Sequence, residues 1–404
     1  MSPHSLFVAT TPGLEAITAH EVAAISGDAA SGPAPGAAPS ATPSPAPSPA
    51  LSGLKIEPGG IALAGSLTDA FALNLHLRTA SRVLVRIAEF RAAHFAELEK
   101  RATRIDWSPW VAPGAEVEWA VTSRKSRLYH TEGIAERLAK AAGVTAVGAG
   151  AAGVEAAAGG APTRIVVRAV RDHFTVSLDT SGDHLHQRGD RVAQGNAPLR
   201  ETMAAALLIA SGWAPDTPLL DPMCGTGTIV IEAARMATRR APGLARTFAL
   251  EHAPAFSEEH QAAAMRLREA AQAAICAAPA PIIGRDRDID AIAAARANIA
   301  AASLEDVIAL EVGAVSSAQP PHAAAAPGFI VTNPPWGLRL GDEAALRDLY
   351  AALGRVARER FFDWGLTLIT PSAKLASAAD RRLKRLIELR QGGVNLGLWG
   401  TPGE

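Results

Sequence analysis

Two clusters in the second half of this 404-residue chain have residue types and spacing that could do chemistry. The first runs Leu-Leu-Asp-Pro-Met-Cys-Gly-Thr-Gly-Thr over residues 219–228: an apolar run, then Asp221, then a tight turn through Gly225 and Gly227. Ile229, Val230 and Ile231 open a helix directly after it. Lacking a Cβ, the glycines permit the sharp turn and let a ligand come close to the backbone. Free N–H groups at the helix start favour a carboxylate or phosphate. Strand, glycine turn and helix start together read as the cofactor cradle of a doubly wound sheet. The Gly-Lys-Ser/Thr ending of a triphosphate-binding loop is missing, and one glycine of the dinucleotide fingerprint cannot be placed.

The second cluster, Asn333-Pro334-Pro335-Trp336, ends a later apolar run. Its prolines fix an extended turn with no N–H to donate, leaving the Asn333 side-chain oxygen and the Pro334 carbonyl as acceptors. Two acceptors suit an exocyclic amine, which presents two N–H donors, and Trp336 offers a flat face for a base. A third position lies between them. In a doubly wound sheet the ligand crosses the carboxyl ends of the strands, and the next strand ends Gly284-Arg285-Asp286-Arg287-Asp288. Asp286 is the candidate to accept both ribose hydroxyls of a nucleoside cofactor, whereas Asp288 reads as the cap of the following helix. Cys224, inside the turn, reads as a small apolar residue rather than a nucleophile.

The string Asp-Pro-Met-Cys-Gly-Thr-Gly-Thr resembles the first motif of class I S-adenosylmethionine methyltransferases. It makes Asp221, Pro222, Cys224, Gly225, Thr226 and Gly227 candidate contacts for that cofactor. Asn-Pro-Pro-Trp resembles the Asn-Pro-Pro-Tyr motif of amino-methyltransferases, with Trp in place of Tyr, and makes Asn333, Pro334, Pro335 and Trp336 the candidate catalytic corner. In-line attack by an amine on a sulfonium methyl needs alignment more than strong acid or base; orientation supplies roughly 7–11 kcal/mol in favourable intramolecular models. The acceptors stabilise the ammonium that develops. A base inside a helix cannot reach such a corner, so the substrate must be flipped or looped out.

Elements to position these residues follow from the pattern. Apolar runs at 219–221, 281–284, 307–312, 328–332 and 364–370 alternate with helical stretches, the Ala-rich one at 289–302 among them, as in a largely parallel sheet covered on both faces. Residues 381–398 are expected to add an antiparallel pair of edge strands. The first half is mixed α/β, with strands at 5–10, 82–88, 116–122, 164–170 and 173–179 and helices at 13–25, 67–77, 94–104 and 131–142. Two short strands flank Gly59-Gly60. Residues 29–50 form a Pro/Ala/Ser tract without large apolar residues, expected to be a disordered insertion, and 143–161 form a second, Ala/Gly-rich one.

Composition bounds the rest. At 48% hydrophobic residues the chain can bury sizeable cores, and its net charge of −1 gives no global pull toward nucleic acid. Two cysteines allow neither a zinc cluster nor a disulfide framework. The N-terminus lacks the features of a signal peptide, and no apolar run reaches membrane-spanning length. The expectation is a cytoplasmic monomer with no membrane association and no metal; His184 and His186 lack a third ligand. Arg124, Lys125 and Arg127 form a basic turn suited to gripping phosphate.

The chain as a whole resembles the THUMP-containing guanine-N2 methyltransferases of 23S rRNA, specifically their N-terminal methyltransferase half. Residues 5–15, 177–191, 197–204, 219–234 and 333–340 carry the resemblance, which extends over nearly all the sequence apart from the two insertions. It implies an α/β architecture: a ferredoxin-like segment (1–68), an RNA-binding THUMP domain (69–181) and a Rossmann-like class I methyltransferase domain (190–404). It also implies S-adenosylmethionine as cofactor, 23S rRNA as partner and N2-methylguanosine as product; Arg188 and Arg191 fall in the family's linker motif, where phosphate contacts to RNA and contacts between domains are both open. The sequence departs from the family at Ala314, where an Asp usually meets the adenine amino group. Some members continue into a second domain that makes 7-methylguanosine; the chain stops at Glu404, so that activity is expected to be absent. Three other readings stay open: a tRNA guanine-N2 enzyme, a DNA adenine-N6 enzyme, and a non-catalytic RNA-binding assembly factor.

Overall fold

The computed structural model describes residues 3–26, 51–147, 163–193, 199–321, 327–337, 343–391 and 393–401. All of the 29–50 tract, most of the 143–161 tract, and residues 197–198 and 338–340 of the motifs that carry the resemblance therefore lie outside the described residues. The exception is a correction: Thr145–Val147 is a short strand, so the second tract begins inside a sheet.

Two sheets organise the molecule. The first half contributes β1 (His4–Thr10), α1 (Glu15–Ser26), β2 (Ser52–Glu57), β3 (Gly60–Gly65), α2 (Leu67–His76), β4 (Ala80–Arg91), α3 (Phe95–Ala102), β5 (Glu116–Arg124), α4 (Thr131–Ala142), β6 (Thr145–Val147), β7 (Thr163–Val170) and β8 (His173–Asp179). Its strands form one eight-stranded sheet in the order β2-β3-β1-β4-β8-β7-β5-β6. β4 is the spine, antiparallel to β1 on one side and β8 on the other. Val83, Leu84 and Val85 are buried at its centre, the continuous apolar run expected of a strand covered on both faces. α2 starts where Ser66 and Asp69 cap each other: Ser66 Oγ accepts from the Asp69 N–H at 3.1 Å and Asp69 Oδ2 from the Ser66 N–H at 2.7 Å. The sheet has no break at 68/69, where the sequence suggested a domain boundary; β4 is shared by both sides of it.

The second half adds α5 (Glu201–Ser211), β9 (Leu219–Asp221), α6 (Thr228–Ala237), α7 (Glu258–Ala273), β10 (Ile282–Asp286), α8 (Ile289–Ala301), β11 (Ile308–Val312), β12 (Phe329–Thr332), α9 (Glu343–Arg360), β13 (Gly365–Thr370), α10 (Ala373–Ala379), β14 (Lys384–Gln391) and β15 (Val394–Gly400). They build a seven-stranded sheet, β11-β10-β9-β12-β13-β15-β14. β9 to β13 are mutually parallel, as the alternation of apolar runs implied. The terminal pair is only half at the edge: β15 inserts antiparallel between β13 and β14, leaving β14 outermost. Leu396 and Leu398 on β15 belong to the core, as does Leu389 on β14.

The two halves share their packing. Ala241, Phe248, Leu250, Phe256 and Leu267, from the segment after α6, join the core of the first sheet, while Leu14 and Ile17 of the N-terminal segment join that of the second. Among the described residues no helix is long and apolar enough to cross a membrane, and no group of three or more His, Cys, Asp or Glu could hold a metal.

Candidate active site

The chain order of the second sheet reverses at β9. β10 and β11 lie on one side of it, β12 and β13 on the other, so the gap between β9 and β12 is the topological switch point where ligands of open α/β sheets bind. Both chemistry-bearing clusters leave the sheet there. β9 pairs with β12 at Leu219↔Phe329 and Leu220↔Ile330, and Thr332 Oγ1 donates to Asp221 Oδ1 across the pair at 2.7 Å. Asp221 Oδ1 also accepts from the Met223 N–H at 3.2 Å. The glycine turn and the Asn333 corner thus start from adjacent strands tied by one buried carboxyl. Burial pushes the Asp221 carboxyl up to about 7; the bonds from Thr332 and Met223 pull it down, and nearby Asp286 adds to the rise.

The turn has the conformation its sequence called for. Gly225 has φ +53° and Gly227 φ +86°, the left-handed region that glycine enters without steric cost. A Cβ at Gly225 would meet nothing within 4 Å, so this turn opens onto free space, whereas one at Gly227 would press on Ala295 of α8. Asp286 closes the other side: its Oδ2 accepts from the Gly225 N–H at 2.9 Å and its Oδ1 from the Asp288 N–H at 3.0 Å. It therefore stands beside the glycine turn, half-buried, with lone pairs left for a hydroxyl donor. Asp288 caps α8, accepting from the Asp290 N–H at 2.9 Å. Pro222 and Cys224 are buried beneath the turn; the Cys224 N–H bonds to the Arg285 carbonyl at 2.9 Å, and burial pushes its thiol well above the usual range, so it is no nucleophile.

At the Asn333 corner, Pro334 is buried and Pro335 exposed. The Asn333 Oδ1 is buried and has no hydrogen-bond partner among the described residues. Trp336 is half-buried: its indole N–H donates to the Ile369 carbonyl at 3.0 Å, and the ring packs partly against the core. Its orientation is set by β13, leaving a part of the ring free. Tyr350 of α9 backs the corner, its hydroxyl 3.3 Å from the Pro335 carbonyl.

After β11, the Ala314 carbonyl accepts from Arg285 Nε at 3.3 Å, and Arg285 Nη2 donates to Ser317 Oγ at 2.6 Å. A guanidinium from the neighbouring strand organises the loop in which Ala314 stands where the resemblance puts an Asp.

The basic residues divide. Arg124, Lys125 and Arg127 are exposed in the turn after β5, where the Arg127 N–H bonds to Asp172 Oδ1 at 2.7 Å. Arg188 is not available for phosphate, which corrects its candidacy as an RNA contact and leaves the other reading, a contact between the two halves. It is 3% exposed, and its guanidinium donates to both Glu232 oxygens, the Leu185 carbonyl and the Arg78 carbonyl. Arg191 turns toward the glycine turn, donating from Nη2 to Thr226 Oγ1 at 2.9 Å. Asn298, on the Ala-rich α8, also reaches Thr226 and was not singled out from sequence; its one signal is a polar side chain in a run of alanines.

A parallel sheet with a glycine turn after its central strand and an Asn-Pro-Pro corner after the adjacent one defines a Rossmann-like methyltransferase domain. Residues 188–398 match the family model described as "RMKL-like, methyltransferase domain", and the chain belongs to that family. Residues 50–84 match the model "RlmL ferredoxin-like domain", which covers β2, β3, α2 and the start of β4. The chain is 35% identical over 347 residues to "Ribosomal RNA large subunit methyltransferase K/L" of Syntrophotalea carbinolica, covering 83% of this chain and 48% of that protein. It thus spans about half the length of this curated relative. Among solved structures, SMU.472 complexed with SAH aligns with TM-score 0.82 and 26% identity over 100% of this chain and 99% of that one. A predicted N6-adenine-specific DNA methylase from Listeria monocytogenes aligns with TM-score 0.78 and 29% identity over 99% and 97%.

Proposed function

We propose that this protein transfers a methyl group from S-adenosylmethionine to the exocyclic N2 of a guanine in 23S rRNA. The observation that carries the reading is the buried Asn333 Oδ1, without a hydrogen-bond partner among the described residues, at the switch point one strand away from the glycine turn. A buried acceptor without a donor costs about 1–3 kcal/mol, and an amine of the substrate would relieve it.

The residues present fit the cofactor. Gly225 leaves open space for a close backbone approach, Gly227 starts α6 with free N–H groups for a carboxylate, and Asp286 has lone pairs for ribose hydroxyls. When bound, S-adenosylmethionine supplies an electrophilic methyl on sulfur. The Asn333 oxygen and the Pro334 carbonyl hold the two amine protons, which aims the nitrogen lone pair. Trp336, fixed through Ile369, orients the base by its face. As charge builds on nitrogen the two oxygens stabilise it, and the surplus proton passes to solvent once the ammonium product leaves. Buried Asp221 holds the two loops in register through Thr332 rather than touching the reacting atoms.

The RNA reading is supported by the rRNA-methyltransferase relative and by the exposed Arg124, Lys125 and Arg127 of the first sheet, within residues 69–181 proposed as a THUMP domain. The same corner would also serve adenine N6, and the Listeria relative's description gives that alternative a specific basis. Incubating the protein with labelled S-adenosylmethionine and, separately, deproteinised 23S rRNA, tRNA and DNA, then identifying the methylated nucleoside by mass spectrometry, separates them. The expected product is N2-methylguanosine in 23S rRNA alone. N6-methyladenosine in DNA, or N2-methylguanosine in tRNA only, would replace this reading.

A further inference from the structure

The glycine turn is held from outside by two residues that belong to neither motif. Asn298 is 3% exposed on α8. Its Oδ1 accepts from the Val192 and Ala193 N–H groups at 3.1 and 2.8 Å, and its Nδ2 donates to the Ala193 and Thr226 carbonyls at 3.0 and 3.1 Å. One amide thereby uses both donors and accepts twice, its full capacity. Arg191 approaches Thr226 from another direction. Its Nη2 donates to Thr226 Oγ1 at 2.9 Å while Nη1 donates to Glu201 Oε1 at 3.0 Å, at the start of α5. The preceding residue, Asp190, pairs with Arg235 of α6. These contacts border a small cavity lined by Asp190, Arg191, Glu201, Thr226, Arg235 and Asn298 together with Thr228 and the apolar Ile231.

Thr226 is the residue between the two glycines, both in the left-handed region that glycine enters without steric cost. Both its carbonyl and its hydroxyl are held by partners from other elements. We infer that Asn298 and Arg191 are positioning residues for the cofactor turn, and that the linker residues 190–193 belong to the cofactor site rather than to an RNA-contacting surface. The linker is the piece of chain that enters the methyltransferase sheet from the first sheet, so the turn is shaped by the first residues of the methyltransferase domain and by α8.

The inference rests on the S-adenosylmethionine reading, and the test keeps the two apart. Binding of SAH to the full chain is measured by calorimetry for the wild type, Asn298→Asp and Arg191→Gln, with melting temperatures recorded for each. Asn298→Asp retains the acceptor for the linker N–H groups and loses the donor to Thr226. Asn74→Ala serves as control: Asn74 is a fully buried asparagine of α2 with bonds to Ala70, Thr180 and Ser181, remote from the turn in its contacts. SAH affinity is expected to fall by about tenfold in both variants, the scale of one lost hydrogen bond that holds the turn in its binding shape. KM for S-adenosylmethionine should rise in parallel, with kcat at saturation nearly unchanged. The control should lose stability and bind SAH as the wild type does, and Arg191→Gln should bind rRNA undiminished. Should Asn298→Asp fail to fold, the half-exposed Arg191 decides alone. Wild-type SAH affinity in Arg191→Gln, loss of rRNA affinity in its place, or an equal loss in Asn74→Ala would overturn the inference. No SAH binding by the wild type would overturn the cofactor reading beneath it.

Discussion

Asp221 is the residue on which the geometry of the two loops turns, and its ionisation offers a way to watch it. Its carboxyl is pushed up by burial to about 7 from an ordinary value of 3.8. An acid with a raised folded-state pKa stabilises the fold when protonated; the contribution is complete below the ordinary value and is lost as pH rises toward 7. Each unit of difference is worth about 1.4 kcal/mol. Asp221→Asn keeps an oxygen for Thr332 and cannot ionise. Denaturant unfolding of both proteins between pH 4 and 8 should show the wild type losing stability relative to the variant up to about pH 7, with a constant difference above it. Parallel curves would mean that Asp221 is ionised throughout. At this scale the sequence was legible where chemistry is local. The glycine turn, Asp286 beside it and the Asn-Pro-Pro corner are contiguous strings whose residue types constrain their own backbone. Arg188, Arg191 and Asn298 were not, because their partners lie far along the chain and only folding brings them together.

Helix α6 carries the coupling between the two halves. It begins at the glycine turn and is buried almost all round, so its polar residues must find partners inside. Glu232 accepts from Arg188 and from Arg235, and Arg235 pairs in turn with Asp190. Arg78, leading from α2 into β4, donates to the Arg240 carbonyl at 2.9 Å. Burial alone would raise the Glu232 carboxyl, but Arg188, Arg235 and Arg78 outweigh it and hold it below the usual range. Removing one charge from such a cluster leaves buried guanidinium groups short of a counter-charge, a loss of about 3–5 kcal/mol. Glu232→Gln should lower the unfolding free energy by about that amount, measured in urea at pH 7. A change below about 0.5 kcal/mol, the level of an ordinary surface substitution, would show that the cluster is already compensated. The apolar residues after the glycine turn located α6 from sequence, but nothing local marks Glu232 and Arg235 as buried, since their partners Arg188 and Asp190 lie 44 and 45 residues away.

Over the whole molecule, two sheets meet through exchanged segments rather than a flat interface. The stretch after α6 completes the first core, and the turn at Gly13 sits against β14 so closely that a Cβ there would strike the Glu388 carbonyl. The strand alternation of the second half was readable because each buried parallel strand is a short apolar run between helices. The inner position of β15, the strand at Thr145–Val147 and the unbroken first sheet were not, since pairing order is set by tertiary packing. The architecture brings the glycine turn and the Asn333 corner out of adjacent strands at the switch point, where the proposed function has the first hold the cofactor and the second the amine. The direct test of that claim is Asn333→Ala assayed twice, by SAH calorimetry and by methyl transfer to deproteinised 23S rRNA. SAH affinity should stay within about threefold of the wild type while transfer falls by about 100-fold or more, the loss typical of removing one preorganised stabilising group. Transfer at the wild-type rate, or loss of SAH binding together with activity, would contradict the account.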